Sequence, residues 1–195
     1  MAYATLDEVL QRMGHAGATS TDLSAKIEDA LDAATVRIER DCGRVFATST
    51  GARTFAPDDH EYELCLPDFT DITTLKIDDN DDGVFEVTVP ASGYELDNAT
   101  DLTDWPYDRV RLLDRTWPYV SRRRNRIEVS ATWGWATIPE PINQACSLLA
   151  ARIAQRSSQA LFGVQSFGDL GASVIRTSDP DYMALIAPYR KFGIA

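Results

Sequence analysis

The chain has 195 residues, 44% of them apolar and 25% charged, and a formal net charge of -11. That length suits one domain, or one domain with a large insertion, around a sizeable core. The acidity excludes affinity for nucleic acid through bulk phosphate neutralisation, and three scattered cysteines without a Cys-x-x-Cys pair (Cys42, Cys65, Cys146) exclude a disulfide framework or a zinc site.

No basic stretch followed by an apolar run opens the sequence, so no signal peptide is expected. Thr5 and Glu8 form a capping box, with Leu6, Val9, Leu10 and Met13 on one face of a short helix ended by Gly14 and Gly17. A second helix starts near Ser20 to Asp22. Its stripe is Leu23, Ile27, Leu31, Ala34 and Ile38, and Gly43 after Cys42 is its stop. From Arg44 to Trp135 the period changes to two. Strands are expected over Arg53–Phe55, Tyr62–Leu66, Ile72–Ile77, Val84–Val89, Tyr94–Leu96, Arg109–Leu113 and Ile127–Trp133, as short antiparallel hairpins, with 98–107 the least regular stretch. Helix returns at Pro139-Glu140-Pro141 with the stripe Ile142, Cys146, Leu149 and Ile153, expected to pack on the second helix. Arg152 and Arg156 interrupt this most apolar helix, so no membrane span is expected. Ser173–Arg176 reads as a strand, and Asp179-Pro180 starts a last helix, kinked at Pro188.

The charge is unevenly placed. Residues 58–104 hold fifteen acids and one base (Lys76), a balance of -14, while 105–130 hold seven arginines against three acids, a balance of +4. Arg122, Arg123, Arg124 and Arg126 make the one dense basic run. A nucleic-acid patch has this look, and so does a loop pairing with acids in its own subunit or a neighbour; the acidic block just upstream favours the second.

The candidate sites are few. Asp78, Asn80 and Asp82, followed by Gly83, resemble the first half of a calcium loop, but Val89 stands where a bidentate Glu belongs and the segment lies between strands. It reads as a polar hairpin turn, with a calcium-dependent binding module as the alternative. The stretch Gly163 to Gly168 misses both a nucleophile elbow and a P-loop, the latter because Asp169 replaces the lysine. His15 lies in a glycine-rich loop and His60 in an acidic turn, and nothing places either as a base held by an orienting acid, so no serine triad is expected. A hydrolase built on an unrecognised acid pair is the remaining enzymatic alternative. Trp133-Gly134-Trp135 is expected to bury one or both indoles against the helices. From Phe162 onward, aromatics separated by glycines follow the last long helix; Phe162, Phe167, Tyr182, Tyr189 and Arg190 are the expected anchors on a partner.

Several stretches together resemble the head-to-tail connector (adaptor) family of long-tailed bacteriophages and the related gene transfer agents. They are Tyr3-Ala-Thr5-Leu6-Asp-Glu8, Ile38 to Phe46, Ile77-Asp-Asp79 with the turn to Gly83, and Tyr94-Glu-Leu96. The most specific block runs from Trp133-Gly-Trp135 through Ile138-Pro139 and Pro141-Ile142 to Leu148-Leu-Ala-Ala-Arg152; Phe167-Gly-Asp-Leu170, Asp179-Pro180 to Leu185 and Ala187-Pro-Tyr189-Arg190 complete it. Residues 98–126 match least.

The resemblance implies a non-enzymatic virion protein without cofactor, acting at the head-tail interface and present in the host cytoplasm during assembly. It implies a self-associating ring, twelve-fold to match the portal protein above it, with a stopper or tail-completion protein below. DNA passes through the central channel without sequence-specific binding. Residues and resemblance together give an α+β chain forming a single connector domain over 1–195. Its expected parts are a helical core (two long packed helices plus short N- and C-terminal helices), with N-terminal helices over 1–43 and a core helix over 138–160. A β-hairpin-rich insertion over 44–137 and a C-terminal docking segment over 161–195 complete it.

Overall fold

The computed structural model of the chain describes residues 2–15, 17, 21–57, 60–98, 100, 102–118, 126–159, 164–166, 172–174 and 179–191, with backbone alone at 157–159, 164–166 and 172–174. The described residues form four α-helices, a six-stranded antiparallel sheet and a two-stranded ribbon, a mixed α and β fold. Two units divide them. The first combines Met1–Arg44 with Ile138–Ala195, and the second is Val45–Thr137.

In the first unit α1 (Leu6–Arg12) begins with the expected capping box: Thr5 N–H donates to Glu8 Oε2 at 2.7 Å and Glu8 N–H to Thr5 Oγ1 at 3.3 Å. α2 (Thr21–Cys42) buries Ile27, Leu31, Ala34 and Ile38, joined by Ala30, Thr35 and Cys42, and ends at Gly43, whose φ of +64° favours glycine. α3 (Glu140–Gln159) packs on α2, and Thr35 Oγ1 lies 3.7 Å from Cys146 Sγ between them. Its buried line differs from the expected stripe. Ile142 and Cys146 are buried, but Leu149 and Ile153 are only half-buried, and Ala145, Ala150, Ala151 and Ala154 take the inner places. Small side chains at a helix contact let the backbones approach, and larger neighbours then stand at the flanks.

The N-terminal strip is tied to α2 and α3. Tyr3 donates its hydroxyl to Glu39 Oε1 at 2.6 Å, and Asn143 Nδ2 donates to Tyr3 O at 3.1 Å and to both Glu8 carboxylate oxygens. α4 (Pro180–Ile186) starts at the cap Asp179, which also pairs with Arg152, and passes into a 3₁₀ turn over Ala187–Tyr189 where the kink at Pro188 was expected. The ribbon pairs β7 (Val164–Ser166) with β8 (Ala172–Val174); the expected strand over 173–176 is described only to Val174.

The second unit's sheet has the order β1 (Ser49–Phe55), β6 (Ile127–Trp133), β2 (Glu63–Ile77), β5 (Tyr107–Leu112), β4 (Tyr94–Asp97), with β3 (Val87–Val89) also paired to β2. β2 is a correction: the strands expected at Tyr62–Leu66 and Ile72–Ile77 are one strand of fifteen residues. The chain carries Pro67 because the register with β5 shifts between Cys65 and Phe69, so the missing N–H falls at an irregularity. The strand expected from Val84 is shorter as well. Val84 N–H donates to Asp82 Oδ1 instead of a ladder partner, and pairing starts at Val87. Leu64, Phe69, Leu75, Val110, Ile127 and Trp133 lead a contiguous apolar core on one face. No described helix is long and apolar enough to cross a membrane.

Candidate functional site

The Trp-Gly-Trp segment holds one end of the sheet together. Both indoles are buried, as expected, and the partners described for them lie inside the second unit. Trp133 Nε1 donates to Gly51 O at 2.8 Å, and its ring meets Phe55 and Phe69. Trp135 Nε1 donates to buried Asp68 Oδ2 at 2.9 Å, with Phe46 and Trp105 rings at 5.3 and 5.1 Å. Gly134 has φ +92°, and a Cβ there would stand 2.2 Å from Ala47 O, so only glycine fits. These contacts describe a locked strand end. Beside it the β4–β5 loop exposes Leu102 and half-buries Trp105, and Tyr107, the first residue of β5, is exposed.

The acidic turn closes the other end of β2. Asp78 N–H donates to Arg126 O and Arg126 Nε–H to Asp78 O, both at 2.9 Å. Asp78 is buried; its Oδ1 accepts from Asp81 N–H at 2.7 Å and its Oδ2 from Gly83 N–H at 2.9 Å. Burial pushes this carboxyl up, but the loop amides and the Arg126 charge outweigh it and hold it below the ordinary carboxylate value. Asn80 turns to Asp82, while Asp78, Asp82 and Glu86 bring carboxylate oxygens within 4.8 Å of one another. Glu86 was missed by the calcium-loop spacing because it acts through the fold. The Asp78 oxygens already accept backbone donors, so the arrangement is that of a self-locked turn, with Arg115 pairing to Asp79 at 2.8 Å on its rim.

Of the basic run, Arg122, Arg123 and Arg124 lie outside the described residues. Arg126 is buried, and its Nε–H donates to the Asp78 backbone carbonyl, so this arginine is engaged within its own subunit, one of the two pairings the sequence left open. Phe162 and Phe167 also lie outside the described residues. Tyr182 is a correction among the expected anchors. It is 4% exposed, and its hydroxyl donates to Asp41 Oδ2 at 2.9 Å, so its ring is spent on the first unit's own core. Burial, then the Asp41 hydrogen bond and charge, push the Tyr182 phenol well above its ordinary value. Burial likewise lifts the Cys42 thiol to about 11, helped by Asp41. Tyr189 is half-buried and Arg190 exposed, the latter donating Nε–H to Asp41 O at 3.2 Å; Lys191 N–H reaches Cys42 O at 2.7 Å. The end of α2 therefore grips residues 182–191. His15 and His60 are exposed, and the His15 backbone N–H donates to Leu10 O at 2.9 Å.

The comparisons with known proteins follow this architecture. No protein-family model matches the chain, and no curated protein does. Solved structures do. A chain in the neck of an empty gene transfer agent particle, computed with C6 symmetry, superposes with a TM-score of 0.63 at 21% identity, over 99% of this chain and 92% of that one. A chain in the native particle's neck, computed with C12 symmetry, gives 0.54 at 21% identity, over 97% and 91%. One in the virion of the native particle gives 0.58 at 23% identity, over 96% and 90%. The chain thus has the fold of these particle components along nearly its whole length.

Proposed function

We propose that the chain is a structural virion protein, a ring-forming adaptor in the neck of a phage-like particle. One observation carries the reading: the likeness to gene transfer agent neck chains runs end to end, over 97 to 99% of this chain and 91 to 92% of theirs. The C6 and C12 symmetries of those necks support a ring, and twelve copies would match a twelve-fold portal. In this reading the portal lies on one side of the ring and a stopper or tail-completion protein on the other. DNA passes between them over an acidic wall that does not hold it. The protein resides at the head-tail interface of the virion and in the host cytoplasm during assembly.

Within this reading the helical core, with its two long helices, carries the β-rich insertion 44–137, and the segment 161–195 meets the portal. Phe162, Phe167, Tyr189 and Arg190 remain its proposed anchors, while Tyr182 becomes part of the platform that presents them. Electron microscopy of the chain mixed with purified portal tests the proposal. The expected result is an added ring of matching symmetry, and portal particles without added density under saturating chain overturn it.

A further inference from the structure

Two outward faces of the first unit repeat one pattern. On α2, opposite its buried line, Asp29, Ala33, Val36 and Arg40 follow one another at helical spacing, all exposed, Val36 to 64%. α4 and the 3₁₀ turn behind it present Asp181, Ala184, Ala187, Pro188 and Arg190, again all exposed, while Tyr182 and Ile186 turn into the unit's own core. Each face thus runs from an acid through small apolar side chains to a base. The side chains of Asp29, Arg40 and Asp181 have no hydrogen-bond or ionic partner among the described residues.

We infer that the outer face of α4 in one copy of the chain lies antiparallel on the outer face of α2 in the next copy. The lengths agree. At the rise of an α-helix and of a 3₁₀ turn, Asp29 and Arg40 stand about 16 Å apart along α2, and Asp181 and Arg190 about 15 Å apart along α4 and its turn. Set antiparallel, Arg40 meets Asp181 and Asp29 meets the positive end made by Arg190 and Lys191. Between them Val36 falls opposite Ala184, and Ala33 opposite Ala187 and Pro188. Small side chains in the middle let the two elements approach closely. The parallel arrangement sets acid on acid and base on base. Two α2 faces also match when antiparallel, but that contact is two-fold. It sets exposed Asp32 and Arg37 each beside its own copy on the flanks, and it leaves α4 uncovered.

α2 with α4 joins two different patches, which is head-to-tail, and with a constant rotation it closes a ring. That closure rests on the ring reading above; the helix contact has its own readout. Two short faces bury less than a standard interface, so the pairing is weak between two free copies and gains strength in the closed assembly.

The chain is assembled by concentrating it or by adding purified portal, and sedimentation measures the assembled fraction. Arg40 and Asp181 carry the test because the portal reading assigns neither. Arg40→Asp and Asp181→Arg are each expected to lower the assembled fraction severalfold, and the double variant, which again sets opposite charges together, to recover it. Thermal unfolding like the wild type's verifies each fold. Disulfide trapping is the second arm. With Cys65→Ser removing the exposed thiol, Val36→Cys and Ala184→Cys in one chain are expected to give a ladder of covalent oligomers on mild oxidation of the assembled protein. A folded double variant that assembles no better than the single ones overturns the pairing. So does loss with Arg40→Asp but not with Asp181→Arg, or dimer from Val36→Cys alone as abundant as the ladder, since both put α2 against α2. Assemblies that neither reversal weakens and that trap no ladder overturn it and leave the adaptor reading standing. No assembled species under either condition overturns both.

Discussion

At Gly134 the backbone leaves β6 with φ +92° while Ala47 O occupies the space of a side chain, 2.2 Å from where a Cβ would be. Its N–H donates to Asp68 O at 2.7 Å, so the residue cannot shift without breaking the contact that sets Trp135 on Asp68. Gly134→Ala is expected to cost roughly 3 kcal/mol, from strained φ and a backbone clash together. Urea unfolding followed by tryptophan fluorescence measures it, and a loss within error of zero would refute the account. The thiols give a second prediction at this scale. Cys65 is exposed, whereas Cys42 and Cys146 are buried with thiols pushed up by that burial. Alkylation near neutral pH is expected to modify Cys65 alone in the native protein and all three after denaturation, as mass spectrometry would show. The sequence displayed the Trp-Gly-Trp spacing but not the approach of Ala47, which is 87 residues away along the chain. Long-range backbone contact leaves no local pattern.

Elements whose causes are local were legible in the sequence. The capping box of α1, the glycine stop of α2, the proline start of α3 and the Asp-Pro start of α4 all fall where residue chemistry places them. Where tertiary packing competes, the reading slipped. The alanine line of α3 displaced Leu149 and Ile153, and β2 ran through Pro67 because a bulge absorbs the missing donor. The glycine-punctuated end slipped for the same reason: an aromatic's spacing does not say whose core it enters, and Tyr182 enters its own. Two predictions test that packing. Tyr182→Phe removes a hydrogen bond to a carboxylate and is expected to cost about 1–2 kcal/mol in thermal or urea unfolding. The Tyr182 phenol is held above its ordinary value of 10.0 in the folded state, so its contribution is full below that pH and is lost as pH rises beyond it. Wild type should therefore lose stability in alkali more steeply than Tyr182→Phe. At the acid end, the backbone N–H of Thr5 foremost, with Asn143 also donating, holds Glu8 below the ordinary carboxylate value against its partial burial. That stability is present above the ordinary value and disappears as pH falls through the folded one. Glu8→Gln should flatten the acid limb of the stability profile; parallel limbs would show that the N-terminal strip is not held through this carboxylate.

For the whole molecule, the division into two units makes its own prediction. The segment Val45–Thr137 carries a contiguous apolar core, and its two chain ends are neighbours within the sheet: Ser49 pairs with Trp133, and Thr48 Oγ1 donates to Trp135 O at 2.8 Å. An inserted segment whose ends meet in one ladder closes its own fold, because no loop entropy is spent bringing them together from outside. Residues 45–137 expressed alone are therefore expected to unfold cooperatively on heating, with a near-ultraviolet dichroism band from the packed Trp133 and Trp135 rings. A broad transition with dye-binding apolar surface would mean that the sheet needs the helices to fold, and the second unit would then be a dependent excursion of the first. The first unit has the opposite character. Its residues come from both ends of the chain, and Asp41 near the end of α2 collects Arg37, Tyr182 and Arg190 from sequence positions up to 149 apart. Its formation must wait for the C-terminal helix, so truncation before residue 179 should abolish its cooperative unfolding while the isolated transition of 45–137 persists.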